Sequence, residues 1–184
     1  MDKVVGRAEY KISDAAKALA VDFRGKTVLD IGSSTGGFTE YALKSGAKKV
    51  IAVEKGTNQM AAPLRFDERI ELHEKTDFFE FTPNETVDIV LADVSFVSLR
   101  EILKRAKLIV GGSMFLVMLK PQFEAKKWQL KNGIVKNNKM RREIIADFEL
   151  WLKANGFVIL GKRDNEVPGR FGNVERFYCL KAQK

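Results

Sequence analysis

Residues 26–37, KTVLDIGSSTGG, read as a buried strand that runs straight into a glycine-rich turn. Val28, Leu29 and Ile31 supply the apolar run, Asp30 sits within it near the strand's end, and Phe38 opens a helical pattern just beyond. Strand, glycine turn and helix N-terminus in that order form a cradle for a nucleotide-like ligand. Gly32, Gly36 and Gly37 let backbone N–H groups come close to such a ligand. The spacing is not the dinucleotide form G-x-G-x-x-G. It reads G-S-S-T-G-G through Ser33, Ser34 and Thr35, with an acid two residues ahead of the first glycine. A carboxylate there repels phosphate and can help hold an ammonium group, directly or through water. The stretch therefore suits a cationic, phosphate-free ligand such as S-adenosylmethionine. By spacing alone it is also compatible with a tight turn that binds nothing.

At 184 residues the chain is sized for one domain, 1–184, with a sizeable core. No apolar run is long enough to span a bilayer, and the start, MDKVVGRAEYK, lacks the apolar centre of a signal peptide. Cys179 has no second cysteine for an intramolecular disulfide, and with His73 as the single histidine a Cys/His zinc site is not expected. The expectation is a soluble cytoplasmic protein that needs no metal. The formal charge of +8 is unevenly placed. Residues 1–119 balance 17 basic against 17 acidic side chains. Residues 120–142 carry eight basic groups (Lys120, Lys126, Lys127, Lys131, Lys136, Lys139, Arg141 and Arg142) against Glu124 alone. Such a stretch can be a merely solvated face. With Phe123 and Trp128 interleaved, it points instead to a surface for a polyanion.

Taken in order, helical spacing covers 8–20, followed by the strand at 26–31 and a helix at 38–45 that Gly46 ends. Strand two is 49–54, a short helix lies around 58–64, and strand three is 69–73. Strand four is 87–92, a helix follows near 98–109, and 113–119 is an apolar fifth strand ended by Lys120-Pro121. A helix near 139–154 precedes two strands, 157–163 and 174–181, joined by the polar loop DNEVPGRFGN. Alternating strands and helices predict an α/β fold with a mostly parallel sheet covered on both faces. The last two strands, with no helix between them, predict an antiparallel hairpin. Five parallel units closed by a hairpin make the seven-stranded, Rossmann-like sheet of the class I methyltransferases. An ordinary dinucleotide-binding fold would need another crossover helix.

Ligands of open α/β sheets bind at the carboxyl ends of the strands. Glu54 ends strand two, where a carboxylate can accept from both ribose hydroxyls; a NAD site would place an acid there too. Asp77, beyond strand three, could accept from an adenine amino group or cap a helix, and Phe78 could pack on the base. Asp93 and Lys120 end neighbouring strands, so a carboxylate and an amine converge on one crevice.

Five ordered stretches carry a family resemblance. GRAEYKI at 6–12 resembles the S-R-A-x-F/Y-K-L start of FtsJ-like RNA ribose methyltransferases. DIGSSTGGFT, DVSFVSL, LKPQFE and GNVE are similar to the haemolysin A (TlyA) branch of that family. The resemblance implies transfer of a methyl group from S-adenosylmethionine to an RNA 2′-hydroxyl, with cytidine in ribosomal RNA as the expected target. It also implies a Lys-Asp-Lys-Glu tetrad at Lys11, Asp93, Lys120 and Glu175, and no metal. The cofactor set expected alongside it is Asp30, Gly32 to Phe38, Glu54, Asp77, Phe78 and Asp93. The chain departs from the branch in its start and in leaving no room for an N-terminal S4-like RNA-binding domain.

A ribose hydroxyl is a poor nucleophile and must lose its proton as the methyl group arrives. Lys120 is the candidate base, with the carboxylates orienting the two lysines and Lys11 either orienting the hydroxyl or stabilising developing charge. RNA or a ribosomal subunit is the expected partner, gripped by residues 120–142, with no membrane involved. The competing readings are a methyltransferase for a base or small molecule, and a non-enzymatic RNA-binding or haemolysin-like protein.

Overall fold

The protein is described by a computed structural model covering residues 6–166 and 172–183. Helix α1 (Arg7–Ala18) buries Ile12, Ala15 and Ala16 as one stripe at helical spacing. There follow β1 (Thr27–Ile31), α2 (Gly37–Lys44), β2 (Lys49–Val53), the single turn α3 (Ala62–Arg65) and β3 (Ile70–His73). β4 (Ile89–Ala92), α4 (Leu99–Ile109) and β5 (Met114–Leu119) complete the parallel part. Beyond it lie α5 (Pro121–Glu124), a small hairpin of β6 (Leu130–Lys131) and β7 (Ile134–Val135), the long α6 (Asn138–Ala154), and β8 (Phe157–Asp164) and β9 (Arg176–Ala182).

The seven-stranded sheet has the order β3-β2-β1-β4-β5-β9-β8. Strands β1 to β5 pair in parallel, while β9 runs antiparallel to both β5 and β8. This is the expected class I methyltransferase sheet, with β9 inserted beside β5 and β8 left at the edge. Strand order reverses between β1 and β4, so the crevice of this fold opens at their carboxyl ends.

Period-two alternation sends side chains to two cores. Leu29, Ile31, Val117 and Leu119 face α4 and α6, where Leu103 and Phe148 fill the layer. Val28, Leu91, Met118 and Phe177 face α1 and α2, meeting Ile12, Phe38 and Ala42. All five residues of β1 are buried, as a central strand covered on both faces requires.

Two local expectations change. The helix expected at 58–64 shrinks to Ala62–Arg65, because the N–H groups of Asn58, Gln59 and Met60 donate to the Glu74 carboxylate at 2.9, 2.7 and 3.1 Å. Those three donors are spent on a turn rather than on a helix start. The basic stretch before α6 is not a plain loop: Pro121 sets the first turn of α5, and Leu130 and Lys131 pair with Val135 and Ile134. In the polar loop between β8 and β9, residues 167–171 lie outside the described part.

Candidate active site

The glycine turn is held by backbone. The N–H groups of Gly32 and Ser33 donate to the Val53 carbonyl at 2.9 and 3.2 Å, and Gly36 N–H donates to the Ser33 carbonyl at 2.8 Å. Gly36 sits at φ +95°, and a Cβ there would lie 2.5 Å from Leu64 Cδ1 and Met60 Sδ. Glu54 closes the turn from the neighbouring strand end. Its carboxylate accepts from Ser34 N–H at 2.9 Å and Gly56 N–H at 2.7 Å.

The expected cofactor residues divide by what the fold does with each. Gly32, Ser34, Glu54, Asp77, Phe78 and Asp93 line a cleft of about 700 Å³ at the carboxyl ends of the strands. Ser33 is buried beneath it with an unpartnered Oγ, and the exposed Thr35 gives its carbonyl to Ala61 N–H at 3.2 Å. Gly36 and Gly37 are buried where the turn becomes α2. Phe38 turns inward, 5.8 Å from the Phe177 ring. Asp30 is fully buried on the α2 side, where Thr39 Oγ1 donates to Oδ2 at 2.6 Å and Oδ1 is unpartnered. Burial pushes its carboxyl up to about 7 against the Thr39 bond, with the Asp93 and Glu54 charges adding to the rise.

Asp77 neither caps a helix nor stands free. Its Oδ1 accepts from Phe79 N–H at 3.0 Å in a turn, while Oδ2 pairs with Lys55 at 2.9 Å. The Lys55 ammonium, and after it the Phe79 N–H, hold this carboxyl below the usual carboxylate range.

Besides Lys55–Asp77, the cleft is lined by a second lysine–carboxylate pair, Lys120 with Asp93, and a third, Lys11 with Glu175, stands one strand over. Lys120 Nζ lies 2.7 Å from Asp93 Oδ1 and donates to Ser95 Oγ at 2.8 Å. Lys11 Nζ pairs with Glu175 Oε2, which also accepts from Asn165 Nδ2 at 3.1 Å. The β5–β9 ladder ends with Leu119 opposite Arg176, so Lys120 and Glu175 stand one step past it on adjacent strands. The alternation that sends Met118 and Phe177 toward α1 sends these two the same way, which is how a helix from the start of the chain reaches Glu175. The Lys11 and Lys120 side chains are 12% exposed, Glu175 6% and Asp93 23%, so the Lys11–Glu175 pair is largely screened from water while Asp93 stays open to the cleft.

Sequence reasoning missed Ser95 and Asn165 as partners of these pairs. Ser95 lay inside the DVSF stretch already singled out; Asn165 is one of several polar residues in a loop and carried no signal. It also missed Phe96, which is 92% exposed at the cleft with φ +64° and packs on the Phe123 ring at 5.3 Å.

Lys126, Lys127, Lys131, Lys136, Lys139 and Arg142 of the basic stretch are exposed, as is Trp128. Arg141 is drawn inward, its Nε donating to the Val174 carbonyl at 3.0 Å and its guanidinium pairing with Asp164 at 2.8 Å. Glu124, the acid of the stretch, turns away to take Ser98 Oγ and Leu99 N–H, both at 2.7 Å, at the start of α4. Among the described residues no helix is long and apolar enough to cross a membrane.

The protein YqxC of Bacillus subtilis is 38% identical over 179 residues, covering 94% of this chain and 64% of that one. A 23S rRNA (cytidine-2′-O)-methyltransferase, TlyA of Campylobacter jejuni, is 35% identical over 176 residues, covering 95% of this chain and 69% of the relative. A solved hemolysin-like structure from Streptococcus thermophilus superposes with a TM-score of 0.94 at 32% identity, covering 100% of this chain and 69% of that one. The chain thus spans roughly two thirds of the length of each of these proteins. Residues 4–182, a span that takes in the glycine turn, the cleft and the lysine–carboxylate pairs, match the FtsJ-like methyltransferase family, and the chain belongs to that family.

Proposed function

We propose that residues 1–184 act as one methyltransferase domain that moves a methyl group from S-adenosylmethionine to a ribose 2′-hydroxyl of RNA. Ribosomal RNA is the proposed substrate and cytidine the proposed nucleotide, following the activity named for the Campylobacter relative. The observation that carries the reading is Asp93 paired with Lys120 in the cleft wall, with Glu175 and its partner Lys11 on the strand end next to Lys120.

The residues present fit the cofactor. The cleft has the volume, Glu54 presents a carboxylate suited to ribose hydroxyls, and Asp77 and Phe78 offer an acceptor and an aromatic wall for the base. Gly32 and Ser34 bring backbone to the edge, while Asp30, Ser33, Thr35, Gly36, Gly37 and Phe38 shape the turn from behind. When bound, S-adenosylmethionine supplies an electrophilic methyl group. Lys120 takes the proton from the attacking hydroxyl, and Asp93 with Ser95 hold its amine in place. In this step Lys120 acts as the neutral amine, and the proton it takes passes on to water. Lys11, steadied by Glu175, orients the hydroxyl. The exposed lysines of 126–139 and Arg142 grip the RNA backbone.

The test is methyl transfer from labelled S-adenosylmethionine to ribosomal RNA, with the modified nucleoside identified, beside calorimetric titration of S-adenosylhomocysteine and NAD. Label on a ribose oxygen and binding of the homocysteine product are expected. Label on a base, or binding of NAD alone, would overturn the proposal.

A further inference from the structure

Asn173 does something that neither the cleft nor the basic stretch explains. Its side chain is buried and, among the described residues, makes two hydrogen bonds, both to the backbone of the β6–β7 hairpin. Val135 N–H donates to Asn173 Oδ1 at 3.0 Å, and Asn173 Nδ2 donates to the Gly133 carbonyl at 3.1 Å. A carboxamide suits this place because it offers a donor and an acceptor in one plane. The hairpin, only two residues per arm, is too short to keep its position unaided.

The same run of chain is fixed on its other side. Val174 gives its carbonyl to Arg141, which is anchored on Asp164; Asp164 also takes Arg176 Nε at 2.5 Å. Glu175 accepts Asn165 N–H through its carbonyl at 3.0 Å and holds Lys11 through its carboxylate. Residues 173–176 are thus pinned one by one, with exposed Lys131 and Lys136 on the hairpin at one end and the Lys11–Glu175 pair at the other.

We infer that Asn173 is a positioning residue that couples the RNA-gripping hairpin to the Lys11–Glu175 pair. RNA seated on the hairpin fixes the start of β9 and so sets Glu175 and Lys11 against the ribose. The inference rests on the ribose-methylation reading of the site.

The experiment measures single-turnover methyl transfer at saturating RNA and S-adenosylmethionine for the wild type, Asn173→Ala, Lys131→Ala and the double variant. S-adenosylhomocysteine affinity and amide exchange at Val135 are followed in parallel. Asn173→Ala should cut the rate about ten- to a hundredfold, the scale of a small misplacement remote from the chemistry. Its affinity for S-adenosylhomocysteine should be unchanged, and Val135 should exchange faster. Lys131→Ala should slow the wild type yet add nothing in the Asn173→Ala background, because the hairpin no longer communicates with the site. Asn173→Asp keeps the acceptor for Val135 and loses the donor for Gly133, so its rate should fall between; it carries the test if the alanine variant does not fold. A wild-type rate in the folded Asn173 variant, or additive losses in the double variant, would overturn the coupling. A wild type that binds S-adenosylhomocysteine but methylates no RNA overturns the reading of the site and the coupling with it, and the wild-type arm alone reveals that.

Discussion

The glycine turn and the lysine–carboxylate pairs occupy neighbouring strand ends but are built by different means. The turn is held by backbone atoms and by Glu54, whose bond to Ser34 spans 20 residues of chain. The pairs are held by side chains that meet across the whole fold: Lys11 and Glu175 are 164 residues apart, and the Asn173–Val135 bond spans 38. A binding surface made of backbone tolerates side-chain change unless the backbone itself is disturbed. A constellation of long-range side chains is intact only when the sheet has closed, and each member can be removed singly. Damage to the first half should therefore appear as lost cofactor affinity, and damage to the second as lost turnover with affinity kept.

The largest expected effect is at Lys120. Lys120→Ala should lower single-turnover transfer by about 10²–10⁴, the usual cost of losing a positioned general base, while cofactor and RNA still bind. Lys120→Arg should fail nearly as badly, because guanidinium keeps its proton at any working pH. Rates measured across a pH series at saturating substrates decide the point. Near-wild-type activity in the arginine variant would mean that Lys120 supplies only charge.

Next in size is the grip on RNA. Replacing Lys126, Lys127 and Lys131 with alanine should weaken RNA binding alike across sequences and flatten the log–log salt slope by about 2, at about 0.7 per single-strand phosphate contact. S-adenosylhomocysteine affinity should not move. An unchanged slope would make the stretch a solvated face and confine the substrate half to the tetrad.

A smaller effect probes the backbone half. Gly36→Ala forces a side chain into φ +95° and presses Cβ toward Leu64 and Met60. A left-handed alanine costs ~1–2 kcal/mol, which the free chain relieves by relaxing the turn; restoring the turn on binding should then cost about tenfold in S-adenosylhomocysteine affinity by calorimetry. RNA affinity should hold, and if it fell equally the two halves would not be separable.

What could be read in the sequence follows the same division. The β1–turn–α2 unit was legible because strand, glycine spacing and helix phase are local, and so was the position of Glu54 at a strand end. The inward turn of the Phe38 ring was not legible because its direction depends on Phe177 in the last strand. Arg141 counted toward surface charge until Asp164, 23 residues on, drew it inward. The turn at Asn58–Met60 was hidden because Glu74, 14 to 16 residues later, takes its N–H groups. The hairpin at 130–135 was hidden because Asn173 supplies what its short arms lack. Asp93 and Lys120 were legible as neighbouring strand ends, whereas Lys11 and Glu175 came from a family resemblance, since no spacing within the chain announces that they will meet.

The last effect is on stability rather than affinity and concerns Asp30, where the two halves touch electrostatically. Its carboxyl is fully buried, raised to about 7 chiefly by burial against the Thr39 bond, and then by the charge of Asp93, the partner of Lys120. An unfolded aspartate titrates near about 3.9. Between these values the folded chain keeps a proton that the unfolded chain has released, so stability falls as pH rises. The contribution is complete below about pH 4 and is lost as pH climbs through about 7. Asp30→Asn carries no charge at any pH and still offers an oxygen to the Thr39 hydroxyl. Thermal melts without ligand should therefore show the variant gaining on the wild type from acid to alkaline pH. In a chain of this size about 1 kcal/mol moves the midpoint by roughly 2–4 °C, so a gain of several degrees at alkaline pH is expected. The same melts on Asp30→Asn combined with Asp93→Asn should show a gain smaller than the two single changes added, because each removes the charge the other repels. Parallel pH curves for wild type and Asp30→Asn would mean that Asp30 is ionised in the folded chain, and that the acid beneath the turn is held by something other than burial.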